Sequence, residues 1–189
     1  MAINWSNDST VNQVRPAGLK RLAVVDIDGS GASTHTVTGI PSDATEVNVN
    51  FLNYSMDSNA TGIMNLRMGN GSIDTGNNYN WGCDDGNGNS QGSNGASYFR
   101  CVTTHHSGAS HILTGGINIA RATHSEGPAY SGWIIKAFFG DVNNNMCFSS
   151  VGIYKTIGVI DRVLVYNAGG HGYDSAGRMI VTVATGSAF

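Results

Sequence analysis

Charge is scarce in this chain. Only 12% of its 189 residues are Asp, Glu, Lys or Arg, and 10 basic side chains against 13 acidic ones leave a formal net charge of −3. No basic field exists to attract a phosphate backbone, so nucleic acid is not an expected partner. Long apolar runs are also missing: no stretch of about 18 apolar residues occurs, and no helix is expected to insert in a membrane. Met1 to Asp8 lack a basic segment followed by an apolar one, so no signal peptide is expected and folding in a cytoplasm is the default expectation. Cysteine is sparse and odd in number. Cys83, Cys101 and Cys147 show no CxxC spacing, which fits scattered reduced thiols, and Cys83 to Cys101 is the one bridge the count admits.

Catalytic and metal-binding patterns are absent as well. There is no Gly-x-Ser-x-Gly elbow to expose a nucleophile. Asp84 and Asp85 are adjacent, so on a strand they point to opposite faces and not across a cleft from each other, as paired glycosidase carboxylates must. No enzyme is expected. His105, His106 and His111, taken with Cys83 and Cys101, match no zinc spacing. Asp141-Val142-Asn143-Asn144-Asn145 begins like a calcium loop, but Met146 and Gly152 stand where an EF-hand needs glycine and glutamate; an isolated surface calcium stays open. Gly169-Gly170-His171-Gly172 lacks the Lys-Ser/Thr and the following helix of a phosphate cradle. No cofactor is expected.

What the chain does have is glycine (26 residues), abundant Asn and Ser, and 40% apolar residues, enough for a core beneath a polar, weakly charged surface. Residues 1–21 show neither a 3.6 nor a 2.0 period and contain Pro16 and Gly18, so they read as an extended arm. Within it, Trp5, Val14, Arg15 and Pro16 are the candidate contacts to a neighbouring subunit. Residues 22–189 form a second region of short strand-like runs. Leu22 to Ile27 and Thr34 to Thr38 come first. Val47, Val49 and Phe51 then alternate with Glu46, Asn48 and Asn50, as a half-buried antiparallel strand requires. Ile63 to Met68 ends at the hairpin signal Asn70-Gly71, Tyr98 to Thr103 follows, and Ile112 to Ile119 is broken at Gly115-Gly116, where a bulge or tight turn is expected. Trp133, Ile135, Ala137 and Phe139 alternate with Ile134, Lys136 and Phe138, so this strand is apolar on both faces over part of its length and belongs at a sheet centre or an interface. Cys147 to Tyr154 supplies another. From Gly158 to Ala184, two β-branched runs flank a break rich in Asn, Gly and Asp, the pattern of a closing hairpin. Nine or ten short strands without a helical period predict an all-β antiparallel sandwich or jelly roll.

Between Ile73 and Ser97 lies a long stretch of Gly, Asn and Ser that reads as a loop inserted in the sandwich. Tyr79 and Trp81 at its start, with Tyr98, His105 and His106 beyond, are the candidate glycan or receptor contacts. Flat rings beside amides suit the apolar face and the hydroxyls of a sugar. The plainer alternative is that these rings cap the core.

The closing pattern Ile160-Asp161-Arg162-Val163-Leu164-Val165, followed by Tyr173-Asp174-Ser175-Ala176-Gly177 and a last strand, resembles the C-terminal domains of tailed-bacteriophage tail-fibre and related virion surface proteins. Thr38 to Ser42, Glu46 to Phe51, Leu66 to Gly69 and Ile73 to Tyr79 resemble the earlier strands of the same group, so the likeness runs from about residue 34 to 184. The resemblance implies a non-enzymatic protein made in the cytoplasm of a bacterial host and carried on the virion surface. It further implies a homo-oligomer, commonly a trimer, packed beside major capsid or tail proteins. With only some twenty residues ahead of the domain, a capsid decoration or cement protein, or a short tail-fibre piece, is expected. A receptor-binding fibre tip that recognises a host-surface glycan is the alternative, and a cellular carbohydrate-binding jelly roll lies outside the family.

Overall fold

A computed structural model describes residues 19–27, 32–55, 63–103, 112–122, 132–141, 143, 145–156, 158–169 and 177–185. Every regular element among them is a strand: β1 (Leu19–Ile27), β2 (Thr34–Thr38), β3 (Ala44–Tyr54), β4 (Met64–Asn70), β5 (Ser72–Ile73), β6 (Tyr79–Asp84), β7 (Ser90–Ala96), β8 (Phe99–Arg100), β9 (Leu113–Ala122), β10 (Gly132–Asp141), β11 (Met146–Tyr154), β12 (Arg162–Asn167) and β13 (Gly177–Thr185). They form two antiparallel sheets. The larger has eight strands in the order β1-β13-β3-β9-β10-β11-β6-β7, and the smaller runs β2-β12-β4-β5 with β8 paired to β4. The expected all-β sandwich is the fold.

Side-chain alternation fixes which face each strand buries. Val47, Val49 and Phe51 of β3 turn inward together with Val181 and Val183 of β13 and Ile117 and Ile119 of β9, all at 2% exposure or less. The inner face of β10 adds Trp133, Ile135, Ala137 and Phe139. The smaller sheet answers with Met64, Leu66 and Met68 of β4, Val163 and Val165 of β12, and Phe99 of β8. Burying a side chain of this size contributes roughly 1.5–3 kcal/mol, so the paired faces account for the sandwich closing.

Three expectations are corrected by the strand pairing. The stretch from Gly158 to Ala184 is not a hairpin: β12 pairs with β2 and β4 in the smaller sheet, whereas β13 pairs with β1 and β3 in the larger. The chain crosses between sheets there. The stretch from Ile73 to Ser97 is not an inserted loop either, because β6 and β7 pair from Asp84↔Ser90 to Tyr79↔Ala96 and form one end of the larger sheet. Ser90–Ala96 has little strand propensity of its own; pairing with β6 satisfies its backbone and makes it a strand. Gly115-Gly116 breaks nothing: β9 runs straight through, and the register shift lies opposite it, between Phe51 and Tyr54 of β3, where Asn53 takes φ +51°. A Cβ on Gly115 would collide with the Phe138 carbonyl oxygen, which is why the strand carries glycine there.

Smaller differences concern boundaries. β1 begins at Leu19, ahead of the boundary expected at residue 22, and the run from Tyr98 to Thr103 contains only the short β8. The Asn70-Gly71 signal does turn the chain, with Gly71 at φ +73° between β4 and β5.

Asp161 anchors the start of β12. Its N–H donates to the Gly69 carbonyl (2.9 Å), its carbonyl accepts from Ile40 N–H (3.0 Å), and its carboxylate takes two hydrogen bonds from Arg162 at 2.7 and 2.9 Å. The Arg162 guanidinium holds the carboxyl down at about 2. A folded-state value depressed below the unfolded one, about 3.9, stabilises the protein above pH 4 and loses that effect as pH falls toward 2. Asp161→Asn should therefore flatten the acid limb of a plot of urea midpoint against pH between about pH 4 and 2. An unchanged acid limb would show that other carboxylates govern it.

Candidate functional site: the outer face of the larger sheet

Of the residues singled out from sequence, the described ones, Tyr79, Trp81 and Tyr98, are buried or half-buried. Trp5, Val14, Arg15, Pro16, His105 and His106 lie outside the described residues. Tyr79 is fully buried. Its ring stacks on Tyr154 with centroids 4.7 Å apart, and its hydroxyl accepts the Met68 N–H at 2.7 Å. Trp81 is 8% exposed, stacked on Tyr98 at 6.0 Å and covered by the Arg100 guanidinium at 5.1 Å. Tyr98 is half-buried, and its hydroxyl accepts from Arg100 at 3.0 Å. The rings cap the core, because strand alternation turns Tyr79, Trp81 and Cys83 inward on β6.

The loop around Asp74 is closed in the same way. Its carboxylate accepts from Gly76 N–H, the Asn78 amide and the Tyr154 hydroxyl, each at 2.7 Å. Burial raises the Asp74 carboxyl, but these hydrogen bonds outweigh it and hold the group below its ordinary value. Asp85 at the tip of the β6–β7 hairpin is spent on Asn87 N–H, Asn89 N–H and the Asn89 amide. Both acids hold turns in shape.

Metal and nucleophile chemistry find no cluster. No group of three or more His, Cys, Asp or Glu stands ready for a metal among the described residues. Asp141, head of the calcium-like stretch, is 1% exposed on the inner face of β10 and accepts the Asn143 N–H at 3.1 Å. All three cysteines are free thiols. Burial pushes Cys83 and Cys101 up, which keeps both protonated and weakly nucleophilic.

The surface that does gather side chains is the outer face of the larger sheet. The register places one outward residue from each of six neighbouring strands in a single row: Asn48, Asn118, Lys136, Val151, Gly82 and Gly92. Above and below Lys136 on β10 stand Phe138 (62% exposed) and Ile134 (39%), and the neighbouring strand β11 adds Val151 (57%) beside Lys136 and Ile153 (43%) beside Ile134. Two depressions flank Lys136. One, of about 540 Å³, runs over Gly82, Asp84, Ser90, Gln91, Ser149 and Val151. The other, of about 210 Å³, runs over Asn48, Asn50, Gly116, Asn118 and Phe138. Beside the second, the Glu46 carboxylate accepts from the Asn118 (2.6 Å) and Asn48 (2.8 Å) side-chain amides, and Asn118 also donates to Asn48 Oδ1 (2.9 Å), so the amides are fixed.

Sequence reasoning did not select these residues. One signal pointed at them: β10 is apolar on its outer as well as its inner face, which marks a central strand or an interface. β10 is indeed central, between β9 and β11.

No family model and no curated protein matches the chain. Among solved structures, a Scytalido-glutamic peptidase in complex with a peptide-based transition-state analogue is similar at 8% identity and a TM-score of 0.31. The match covers 82% of this chain and 65% of that one. A likeness of that size carries no argument about fold or activity.

Proposed function

We propose that this chain is a non-enzymatic structural protein on the surface of a tailed-bacteriophage virion, a capsid decoration or cement protein or a short tail-fibre piece. It assembles through its N-terminal arm and its β-sandwich as a homo-oligomer, a trimer on the family resemblance, beside major capsid or tail proteins. The observation that carries this reading is the position of β1. Among the described residues it ends the larger sheet, paired with β13, and residues 1–18 precede it in the sequence. A segment that enters at a sheet edge can be anchored on a neighbouring subunit by main-chain hydrogen bonds. The non-enzymatic part is supported by the outer-face acids: Glu46 on β3 and Asp84 on β6 are four strand spacings apart. That is about 19 Å across the strands, with a further four-residue offset along them, well beyond the reach of a paired-carboxylate mechanism.

Deleting residues 2–18 should abolish binding to bare capsids while leaving the thermal midpoint of the domain within a few degrees. Full occupancy by the truncated protein would sink the arm-mediated reading. Receptor binding at a fibre tip is the second reading, and the depressions beside Lys136 favour it over the buried ring pair at Tyr79 and Trp81.

A further inference from the structure

We propose that the trough across the outer face of the larger sheet binds an extended acidic oligosaccharide, with Lys136 as its central contact. The inference deepens the second reading above and rests on it only for the biological source of the glycan.

Shape comes first. The row from Asn48 to Gly92 crosses five strand spacings, about 24 Å, and an open depression lies on each side of Lys136 along it. Two open depressions bridged at Lys136 suit successive rings in the middle of a chain. The larger depression is bare over β6 because Gly82 lines it there without a side chain. Packing does not require glycine at position 82: an added Cβ would meet only the Gln91 carbonyl oxygen, at 4.0 Å, and Gly82 has no positive φ. Glycine inside a strand costs about 0.5–1 kcal/mol relative to alanine. What the residue does is keep the trough open.

Chemistry comes next. The walls present the Asn48 and Asn118 amides and the Ser90 and Ser149 hydroxyls, donors and acceptors suited to sugar hydroxyls. Glu46 holds two of those amides in place before any ligand arrives, which lowers the cost of ordering them. Phe138, the most exposed of the outer-face apolar side chains, offers a flat ring to the C–H face of a pyranose, and Val151 adds apolar contact beside it. An extended peptide is the poorer occupant. The backbone N–H and C=O groups under the trough are consumed by the sheet ladders, so a peptide backbone laid across it would go unpaired.

Lys136 decides the charge. It is exposed at the centre of the row, and no hydrogen bond or ion pair reaches it among the described residues. Glu46 and Asp84 each lie two strand spacings and two residues along the strand away, about 12 Å between backbones, on opposite sides. The ammonium is therefore available to a carboxylate on the ligand, a charge-assisted contact stronger than a neutral hydrogen bond.

Affinity electrophoresis of the full chain through gels containing polygalacturonate, hyaluronate, polysialic acid or neutral dextran tests this. At least one acidic polymer should retard the protein, dextran should not, and added salt should weaken the effect. Gly82→Trp, which fills the floor, and Lys136→Gln should each weaken binding about tenfold or more at an unchanged melting temperature. Should Gly82→Trp unfold, Lys136→Gln at its exposed position still decides the matter. Migration unaffected by all three acidic polymers would overturn the proposal, as would equal retardation by dextran or undiminished binding by Lys136→Gln. A concentration-dependent dimer removed by Phe138→Glu would also overturn it, because a second copy would then be the occupant. Failure of the trough leaves arm-mediated capsid binding intact, and failure of the arm deletion leaves the trough intact.

Discussion

Trp133→Ala is expected to lose about 3–5 kcal/mol of folding stability, the largest effect of any single substitution considered for this chain. Trp133 is 1% exposed on the inner face of β10, opposite Tyr154 of β11. Its indole N–H donates to the Gly158 carbonyl at 3.0 Å, which ties the segment approaching β12 to the larger sheet just before the chain crosses to the smaller one. Alanine removes both the ring and that tie. Urea unfolding followed by fluorescence or circular dichroism measures the loss, and a cost below about 1 kcal/mol would mean that the ring is not part of the core. Trp133→Phe, which keeps most of the ring volume and gives up the hydrogen bond, should cost about 1 kcal/mol for that bond plus a smaller packing term.

Gly152→Ala should be the second most damaging change and Gly82→Ala nearly harmless, although the two glycines sit on adjacent strands of one sheet. Gly152 faces inward on β11, opposite Ile135 and Trp81. A Cβ there would collide with the Asn80 carbonyl oxygen and stand 2.9 Å from the Phe99 ring of β8, which belongs to the other sheet. The sheets approach that closely only because position 152 has no side chain. One forced methyl should cost about 1–3 kcal/mol, since the obstruction is backbone and cannot swing aside. At Gly82 the same methyl meets open space, and the stiffer unfolded chain should leave stability equal or higher by up to about 1 kcal/mol. A matched pair of thermal melts checks the contrast; equal losses at both positions would refute the packing account.

Much of the fold was legible in the residues. Period-2 alternation at Val47, Val49 and Phe51, and again at Trp133, Ile135, Ala137 and Phe139, marked strands whose inner faces are buried as expected. Thr34–Thr38 matches its predicted span, and the Asn70-Gly71 turn is where the signal put it. The stretch from Ile73 to Ser97 was misjudged for a physical reason. Ser90–Ala96 has no β-branched or aromatic side chain, and what makes it a strand is the unpaired edge of β6 beside it, which local sequence does not display.

The candidate site was less legible still. Tyr79 and Trp81 stood out by residue type, yet alternation along Tyr79–Asp84 sends both into the core. Lys136, Val151 and Gly82 are ordinary residues in sequence, far apart along the chain, and become neighbours only through the ladders β10–β11 and β11–β6.

The stretch from Gly158 to Ala184 separates the two kinds of information. By itself the sequence determined that it holds two strands and that Asp161 marks the start of the first, because β-branched runs, punctuating glycines and hydrogen-bonding side chains act over a few residues. Tertiary structure alone decided that β12 and β13 part company, one joining each sheet, and hence which side chains share the outer face. Strand partners are chosen by the fit of whole buried faces, and that choice depends on residues more than a hundred positions away, such as Thr38 beside Arg162 and Val47 beside Val183.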